Sequence, residues 1–188
     1  MESPFIRHLS EHQVMIQSLG RLDAEVARAA ELVILAMKAG RKVLIFGNGG
    51  SAADAQHFAA ELTGRYKRER RGLPAIALTT DTSALTAIGN DYGYEKVFVR
   101  QAEALSTPGD VLIGLSTSGN SPNVVSALRF AKDLGCPTIG FTGLKGGQMA
   151  SFCDVNLAVP SDNTPRIQEG HGLLIHALCE MIEDAFSS

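Results

Sequence analysis

The sequence lacks tryptophan, has few aromatic residues and contains no long apolar run. Aromatic residues make up 6% of its 188 residues, although its apolar content is an ordinary 45%. No stretch approaches the roughly 20 apolar residues of a membrane-spanning helix, and the acidic N-terminus lacks the basic and apolar regions of a signal peptide. We therefore expect a cytoplasmic protein that has no membrane partner.

Positive charge and cysteine are also scarce. The formal net charge is −3 at pH 7, with 17 Lys and Arg against 20 Asp and Glu. A nucleic-acid-binding domain usually carries a basic surface, so nucleic acid is not an expected partner. Cys136, Cys153 and Cys179 lie far apart without metal-ligand spacing, which predicts reduced and mostly buried thiols.

The fold is predicted by apolar runs that alternate with helical patterns. We expect five buried strands, near residues 43–46, 74–78, 110–115, 137–141 and 154–159. Such alternation predicts an α/β fold, a three-layer, doubly wound, five-stranded parallel sheet of the flavodoxin-like type. Two amphipathic helical patterns in residues 1–40 predict an N-terminal hairpin used in oligomerisation. We expect residues 1–188 to form one domain, with the α/β core in 41–188.

A glycine-rich loop follows the first strand in residues 47–50. Three glycines in four positions allow the main chain to approach a ligand closely. Ser51 and Asp54 have the spacing of a capping box, which predicts that Ser51 is the N-cap of the next helix.

That helix carries unusual polar residues among its alanines. Asp54, His57 and Glu61 share one helical face, and Arg65 lies one further turn along. We expect Arg65 to meet a substrate anion, and the basic run 67–71 to be a solvated loop.

A second polar loop, residues 116–121, follows the third strand. Its sequence STSGNS supplies four hydroxyl side chains, and Ser121 followed by Pro122 predicts the start of a helix. Hydroxyl donors beside the positive end of a helix suit a phosphate dianion without requiring a lysine.

The C-terminal helix has a polar stripe in its first half. Gln168, Gly172 and His176 recur at intervals of four residues, so the glycine leaves clearance between two polar side chains. A loop at 89–93, with sequence GNDYG, is expected near the same edge of the sheet.

The sequence argues against two nucleotide-binding interpretations of the glycine loop. Gly47-x-Gly49-x-x-Ala52 fits a loose dinucleotide fingerprint, but the expected acid after the second strand is represented only by Asp81. A Walker loop is excluded because no Gly-Lys-Ser/Thr sequence is present.

Segments covering nearly the whole chain from Lys42 onward resemble the phosphoheptose (sedoheptulose-7-phosphate) isomerases of the sugar-isomerase (SIS) superfamily. These segments are GNGGSAADAQHFAAELTGRY, GNDYG, GDVLIGLSTSGNSPNV, TGLKGGQMA and RIQEGHGLLIH. The resemblance implies an SIS domain in a cytoplasmic homotetramer, with active sites near subunit interfaces. It also implies conversion of D-sedoheptulose 7-phosphate to D-glycero-D-manno-heptose 7-phosphate, the first step toward the heptose of bacterial lipopolysaccharide.

Roles for particular residues follow from the resemblance, from the helix face predicted to include Arg65, and from the two acid–base groups that a ketose-to-aldose reaction needs. Glu61 and His176 are the expected catalytic pair. Zinc, one ion per subunit, is expected on His57, Glu61, Gln168 and His176, a nitrogen and oxygen set suited to this metal. The expected substrate ligands are Asn48, Gly49, Gly50, Ser51, Glu61, Arg65, Asn90, Asp91, Ser116, Thr117, Ser118, Ser121 and Gln168. Some family members have an acidic residue where this chain has Pro165, so we assign no role there.

Two alternatives remain open. One is an SIS isomerase for another sugar phosphate, because the phosphate loop does not distinguish seven carbons from five. The other is a non-catalytic SIS binding module of the replication-initiator-associating type. Relatives of that module lack the His and Glu pair present here at His57 and Glu61, which argues against it.

Overall fold

The computed structural model describes residues 2–187, in which two N-terminal helices precede an α/β core. The helices are α1 (Pro4–Leu19), α2 (Asp23–Lys38), α3 (Gly50–Thr63), α4 (Thr82–Tyr92), α5 (Val97–Leu105), α6 (Pro122–Leu134) and α7 (Thr164–Asp184). The strands are β1 (Val43–Gly47), β2 (Ala75–Ala77), β3 (Val111–Ser116), β4 (Thr138–Thr142) and β5 (Val155–Ala158). Short 3₁₀ helices occupy Gly20–Leu22, Tyr94–Lys96 and Gln148–Phe152.

The five strands form one parallel sheet in the order β2-β1-β3-β4-β5, which confirms the predicted doubly wound fold. After β1 the chain adds β2 on one side and then returns to place β3 on the other. In this topology ligands bind where the strand order reverses, outside the carboxyl ends of the strands. The loops at 47–50 and 116–121 follow β1 and β3, so both lie at this point.

Alternate residues of β1 pack into two separate cores. Val43 and Ile45 belong to the core shared with α1, α2, α3 and α7, whereas Leu44 and Phe46 face α5 and α6. All four side chains are fully buried, and burial of such a side chain contributes about 1.5 to 3 kcal/mol. Helices on both faces therefore fix the sheet and the loops at its carboxyl edge.

The prediction of a fully buried second strand at 74–78 was wrong at Pro74 and Ile76, which are exposed. β2 is an edge strand that pairs only with β1, and its central residue Ile76 is 40% exposed. Only alternate residues of this strand are buried.

The N-terminal helices pack against α7. Met15 and Leu19 of α1 are buried, and Arg166 of α7 donates to the main-chain oxygen of His8 at 2.6 Å. His12 Nδ1 lies 2.7 Å from a carboxylate oxygen of Glu169, which ties the same two helices together. Within residues 2–187, no helix combines the length and the apolar character needed to cross a bilayer.

Candidate active site

Three hydroxyl groups converge where β3 meets α6. Ser116 Oγ lies 2.8 Å from Ser121 Oγ and 3.4 Å from Ser118 Oγ. Ser121 is the N-cap residue of α6, as predicted, but its hydroxyl makes no capping bond and contacts Ser116 instead. The hydroxyls therefore stand at the N-terminus of α6, where the positive end of the helix dipole suits an anion. Thr117 lines the adjoining cleft with Ser118.

The hydroxyl loop is braced by a neighbouring segment of the main chain. Gly119 has φ of +67°, and a Cβ atom there would lie 2.0 Å from the carbonyl oxygen of Gly146. Met149 donates its N–H to Gly119 at 2.9 Å, and Gln148 donates its N–H to Asn120 Oδ1 at 3.0 Å. These contacts hold the loop in one conformation before any ligand binds.

The glycine loop leads directly into α3, without the predicted serine cap. Gly49 is the N-cap residue, with φ of 58°, and Ser51 lies buried within the first turn. The prediction of Ser51 as N-cap was wrong because a conformation open to glycine starts the helix two residues earlier. Gly50 leaves room for the Gln168 side chain, since a Cβ atom there would lie 2.3 Å from Gln168 Nε2.

Two imidazoles and a carboxylate meet further along α3 and α7. His57 Nε2 lies 3.1 Å from Glu61 Oε1 and 3.4 Å from His176 Nε2. The Tyr66 ring stacks on His176, with centroids 5.6 Å apart and ring planes 28° apart. A hydrogen bond between two imidazole nitrogens requires one donor and one acceptor, so this cluster is equipped to hold and transfer a proton.

The cluster contains three of the four predicted metal ligands. Gln168 precedes His176 by eight residues, about 12 Å along a helix, and its side chain packs on Gly50 instead. Within residues 2–187, no group of three or more His, Cys, Asp and Glu side chains surrounds one point as metal ligands do. A Cβ atom on Gly172, between Gln168 and His176, would meet nothing within 4 Å. This space confirms the predicted clearance.

Comparison with known proteins identifies the family. The SIS domain family model matches residues 9–143. The chain is 59% identical over 188 residues to a phosphoheptose isomerase of Aliarcobacter butzleri, covering 100% of both chains. It is 60% identical over 176 residues to phosphoheptose isomerase 1 of Campylobacter jejuni, covering 94% of this chain and 95% of that one. The chain belongs to the phosphoheptose isomerase family.

A solved structure of this family has the same fold. The phosphoheptose isomerase from Neisseria gonorrhoeae matches with a TM-score of 0.90 and 49% identity, covering 96% of this chain and 97% of that one. The SIS model ends at residue 143, before α7, whereas the match to phosphoheptose isomerases includes that helix with Gln168 and His176. The likeness to phosphoheptose isomerases therefore covers residues that the SIS family model does not.

Three residues expected at the site lie in local structure that differs from the prediction: Asn90 and Asp91, expected by family resemblance, and Arg65, expected from its helix position. α3 ends at Thr63, so Arg65 does not continue the helical face of His57 and Glu61, as predicted. Its exposed side chain lies 3.8 Å from Glu69 instead. Asn90 and Asp91 belong to the last turn of α4 rather than to a loop, and Asn90 Nδ2 donates to Asp91 Oδ1 at 2.8 Å. Within residues 2–187, no hydrogen bond or ion pair joins these three to His57, Glu61 or His176.

Asp54 lies one turn before His57 on α3. Burial raises the pKa of its carboxyl group, and the nearby His57 opposes that rise. Its Oδ2 atom is buried and has no hydrogen-bond partner in the described part of the chain. Asp54 lies on the face predicted for His57 and Glu61. Its carboxyl group therefore keeps its proton to a higher pH than an ordinary aspartic acid does.

Sequence reasoning missed Tyr66, Tyr94 and Asn123. Tyr66 contacts His176 only because the segment after α3 returns to α7. Tyr94 and Asn123 both contact Asn48 and line a cleft of about 430 Å³ with Glu95, Ser121 and Pro122. The one available signal was the position of Asn123 two residues after the predicted cap Ser121.

Proposed function

We propose that this protein is an aldose-ketose isomerase that converts D-sedoheptulose 7-phosphate to D-glycero-D-manno-heptose 7-phosphate. This reaction is the first step toward the heptose of bacterial lipopolysaccharide. The observation that carries the proposal is membership of the phosphoheptose isomerase family over the full chain. The imidazole and carboxylate cluster supports it, because an isomerase needs such groups and a pure binding module does not.

We assign the phosphate of the substrate to the loop at 116–121. The Ser116, Ser118 and Ser121 hydroxyls donate to the dianion, and the α6 N-terminus adds its favourable dipole. The glycine loop, with Asn48, receives the sugar at the adjacent strand end. Gln168 then lies beside the sugar because it packs on Gly50.

The chemistry moves two protons. A ketose becomes an aldose when a proton leaves C1 and a proton reaches C2, while another moves between the two oxygens through an enediol. We assign the carbon-bound proton to Glu61 and the oxygen-bound proton to His176. His57 bridges the two groups, and Tyr66 fixes the His176 ring by stacking.

We also propose a zinc ion, one per subunit. His57 Nε2 lies 3.1 Å from Glu61 Oε1 and 3.4 Å from His176 Nε2, close to the roughly 3.4 Å that separates tetrahedral zinc ligands. His57, Glu61 and His176 would hold the ion once their side chains turn toward a common point, and Gln168 would have to turn away from Gly50 to join them. Bound zinc would polarise the substrate carbonyl.

The catalytic assignment is tested with Glu61→Gln and His176→Gln. Each variant should lose about 10²-fold to 10⁴-fold in kcat, because a positioned acid-base group is worth that much, while substrate still binds. Aldose formation from D-sedoheptulose 7-phosphate gives the rate, and calorimetry gives the affinity. Glu61→Gln activity near that of the wild type, in metal-free enzyme, would show that Glu61 is not the base.

Chelation separates the metal from the acid-base pair. If zinc is catalytic, a chelator abolishes turnover and added zinc restores it. If Glu61 and His176 suffice, the metal-free enzyme keeps its rate.

The alternatives are tested with other substrates. Pentose and hexulose phosphates should react far more slowly than the seven-carbon ketose. Faster turnover of either would change the assigned substrate, and inactivity toward all of them would favour a binding module.

We further propose that the protein is a cytoplasmic homotetramer with active sites near its interfaces. The α1 side chains Phe5 and Val14 are 71% and 68% exposed, and Leu173 of α7 is 46% exposed. Large apolar side chains on neighbouring helices support self-association, because burial against a second copy removes them from water.

A further inference from the structure

Asn48 and Asn123 form a reciprocal amide pair between the two ligand loops. Asn48 Nδ2 donates to Asn123 Oδ1 at 2.9 Å, and Asn123 Nδ2 donates to Asn48 Oδ1 at 2.9 Å. Asn48 follows β1 in the glycine loop, whereas Asn123 lies in the first turn of α6, two residues after Ser121. Asn123 is only 3% exposed, so the pair is anchored on its α6 side.

A main-chain group fixes which way both amides point. The N–H of Val124 donates to Asn123 Oδ1 at 2.9 Å. A main-chain N–H requires an acceptor, so the oxygen of Asn123 must face it. The orientation of Asn123 then requires Asn48 to donate to that oxygen and to accept from the Asn123 amide.

Tyr94 completes the hydrogen bonding of the Asn48 oxygen. Tyr94 Oη donates to Asn48 Oδ1 at 3.2 Å. A carbonyl oxygen accepts two hydrogen bonds, and the Asn123 amide already supplies one, so no lone pair remains for a ligand. Asn48 keeps a single free N–H on Nδ2. The half-buried Asn48 is therefore oriented as a donor.

We propose that Asn123 and Tyr94 are positioning residues that make Asn48 a hydrogen-bond donor to an oxygen of the sugar. This inference rests on the proposed function. The ligand atom is a carbonyl or hydroxyl oxygen with a free lone pair. Because Asn123 belongs to the same helical turn as the phosphate loop, the donor is also held at a fixed distance from the bound phosphate.

Asn123 acts through Asn48 rather than on the substrate. Its oxygen accepts from Val124 and Asn48, its amide donates to Asn48, and its side chain is buried. The oxygen of Asn123 has no lone pair left for a ligand and the residue is only 3% exposed, so we expect its contribution as an effect on Asn48.

The test is a double-mutant cycle of Asn48→Ala and Asn123→Ala. Each single variant should lower kcat/KM roughly tenfold to a hundredfold, the cost of one hydrogen bond in a site. The double variant should lose no more than Asn48→Ala alone, within about twofold, because Asn123 has no effect once Asn48 is gone. Inhibition by inorganic phosphate should stay within about twofold in all three. Losses that multiply would overturn the inference.

Two further variants test the orientation. Asn123→Asp keeps the shape but replaces the donor to Asn48 Oδ1 by a carboxylate oxygen, so it should lose at least as much kcat/KM as Asn123→Ala. Tyr94→Phe frees one lone pair and should have a smaller effect that disappears in the Asn48→Ala background. An Asn123→Asp enzyme with wild-type kinetics would contradict the assigned donor.

The matched control is Gln101→Met. Gln101 is also a buried amide, and its Nε2 donates to the main-chain oxygens of Leu78 and Val97, away from the pair. It should lower the melting temperature without changing kcat/KM. A fall in kcat/KM equal to that of Asn123→Ala would mean that general destabilisation explains both.

Calorimetry separates this inference from the proposed function. The same cycle is measured on the affinity for D-sedoheptulose 7-phosphate, with inorganic phosphate for comparison. A wild-type protein that binds the sugar phosphate without turning it over would overturn the isomerase, while non-additive affinities would still support the pair. A wild-type protein that does not bind the sugar phosphate would overturn both.

Discussion

At the scale of single residues, the hydroxyl cluster predicts how strongly the phosphate is held. Ser116→Ala with Ser118→Ala removes two neutral donors to a charged group, each worth roughly 1.5 to 3 kcal/mol, so affinity should fall by about 10²-fold to 10⁴-fold. KM and inhibition by inorganic phosphate measure the loss. Ser126→Ala on α6 serves as a control for a lost hydroxyl outside the cluster. An unchanged KM in the double variant would place the phosphate elsewhere.

His171 predicts a dependence of stability on pH. Its Nε2 hydrogen bonds to the Thr142 main-chain oxygen at 3.1 Å, and burial lowers the pKa of its ring to about 4. The unfolded chain protonates this group near its ordinary pKa of about 6.5, while the native ring stays neutral. Its contribution to the free energy of unfolding therefore falls by about 1.4 kcal/mol per pH unit between those two values as pH decreases.

Urea unfolding at pH 7 and pH 5 measures this dependence. His171→Gln keeps an amide donor near Thr142 but does not titrate, so its stability should change less between the two pH values. Equal changes in both proteins would rule out His171 as the source.

Site residues that lie close together in the sequence could be predicted, whereas contacts between residues far apart in the sequence could not. Ser116, Ser118 and Ser121 stand in one short segment after an apolar strand, and their convergence followed from that placement. Asn123 contacts Asn48 across 75 positions, and Tyr66 reaches His176 across more than a hundred. A helix-start asparagine or a loop tyrosine gives no sign of such partners in the sequence.

At the scale of elements, Glu183 of α7 organises the basic segment after α3. Its carboxylate accepts the N–H groups of Tyr66, Lys67 and Arg68 at 2.8 to 2.9 Å and lies 3.2 Å from the guanidinium of Arg70. The Arg70 side chain is only 1% exposed, so the expectation of a wholly solvated loop was wrong. Burial raises the pKa of Glu183, but these donors and Arg70 outweigh burial and hold it below the usual carboxyl value.

Glu183→Gln should destabilise the protein by about 3 to 5 kcal/mol, because it leaves the buried Arg70 without a charged partner. Thermal unfolding measures the change. Glu180→Gln is the matched control on the same helix, since its pair with Lys67 is exposed and should contribute at most about 1 kcal/mol. Equal losses in the two variants would contradict a structural role for the buried pair.

Since the pKa of Glu183 is lowered, its stabilisation is present above the ordinary carboxyl pKa and is lost as pH falls below it.

Helix and strand positions were predicted well from periodicity, and the start of α6 was predicted from Ser121 and Pro122, but the two ends of α3 were not. α3 begins two residues before the expected first residue because Gly49 adopts a positive φ, and it ends at Thr63 before Gly64. The start depends on a positive φ that glycine permits without marking its direction in the sequence, whereas Gly64 at the end has φ of −83°. The predicted face through Arg65 failed because α3 ends at Thr63.

At the scale of the whole molecule, the exposed apolar residues of α1 predict an oligomer. Light scattering at micromolar concentration should give about four times the 20.0 kDa chain mass. Phe5→Ser with Val14→Ser should shift the protein toward smaller species, because both side chains are mostly exposed in one chain. Glu2→Ser, also exposed in the N-terminal segment, is a control for a polar change. A fully active wild-type monomer would argue against sites shared between subunits.

The short edge strands of the sheet make the native protein less prone to aggregate. The edge strands β2 and β5 have three and four residues, so each offers few unpaired main-chain N–H and C=O groups to another chain. Long flat edge strands are the usual template for fibrils, and short ones give an incoming strand little to extend. The native protein would therefore be a poor template for amyloid even at high concentration. Aggregation would instead begin from unfolded chains, in which the apolar residues of β3 are exposed.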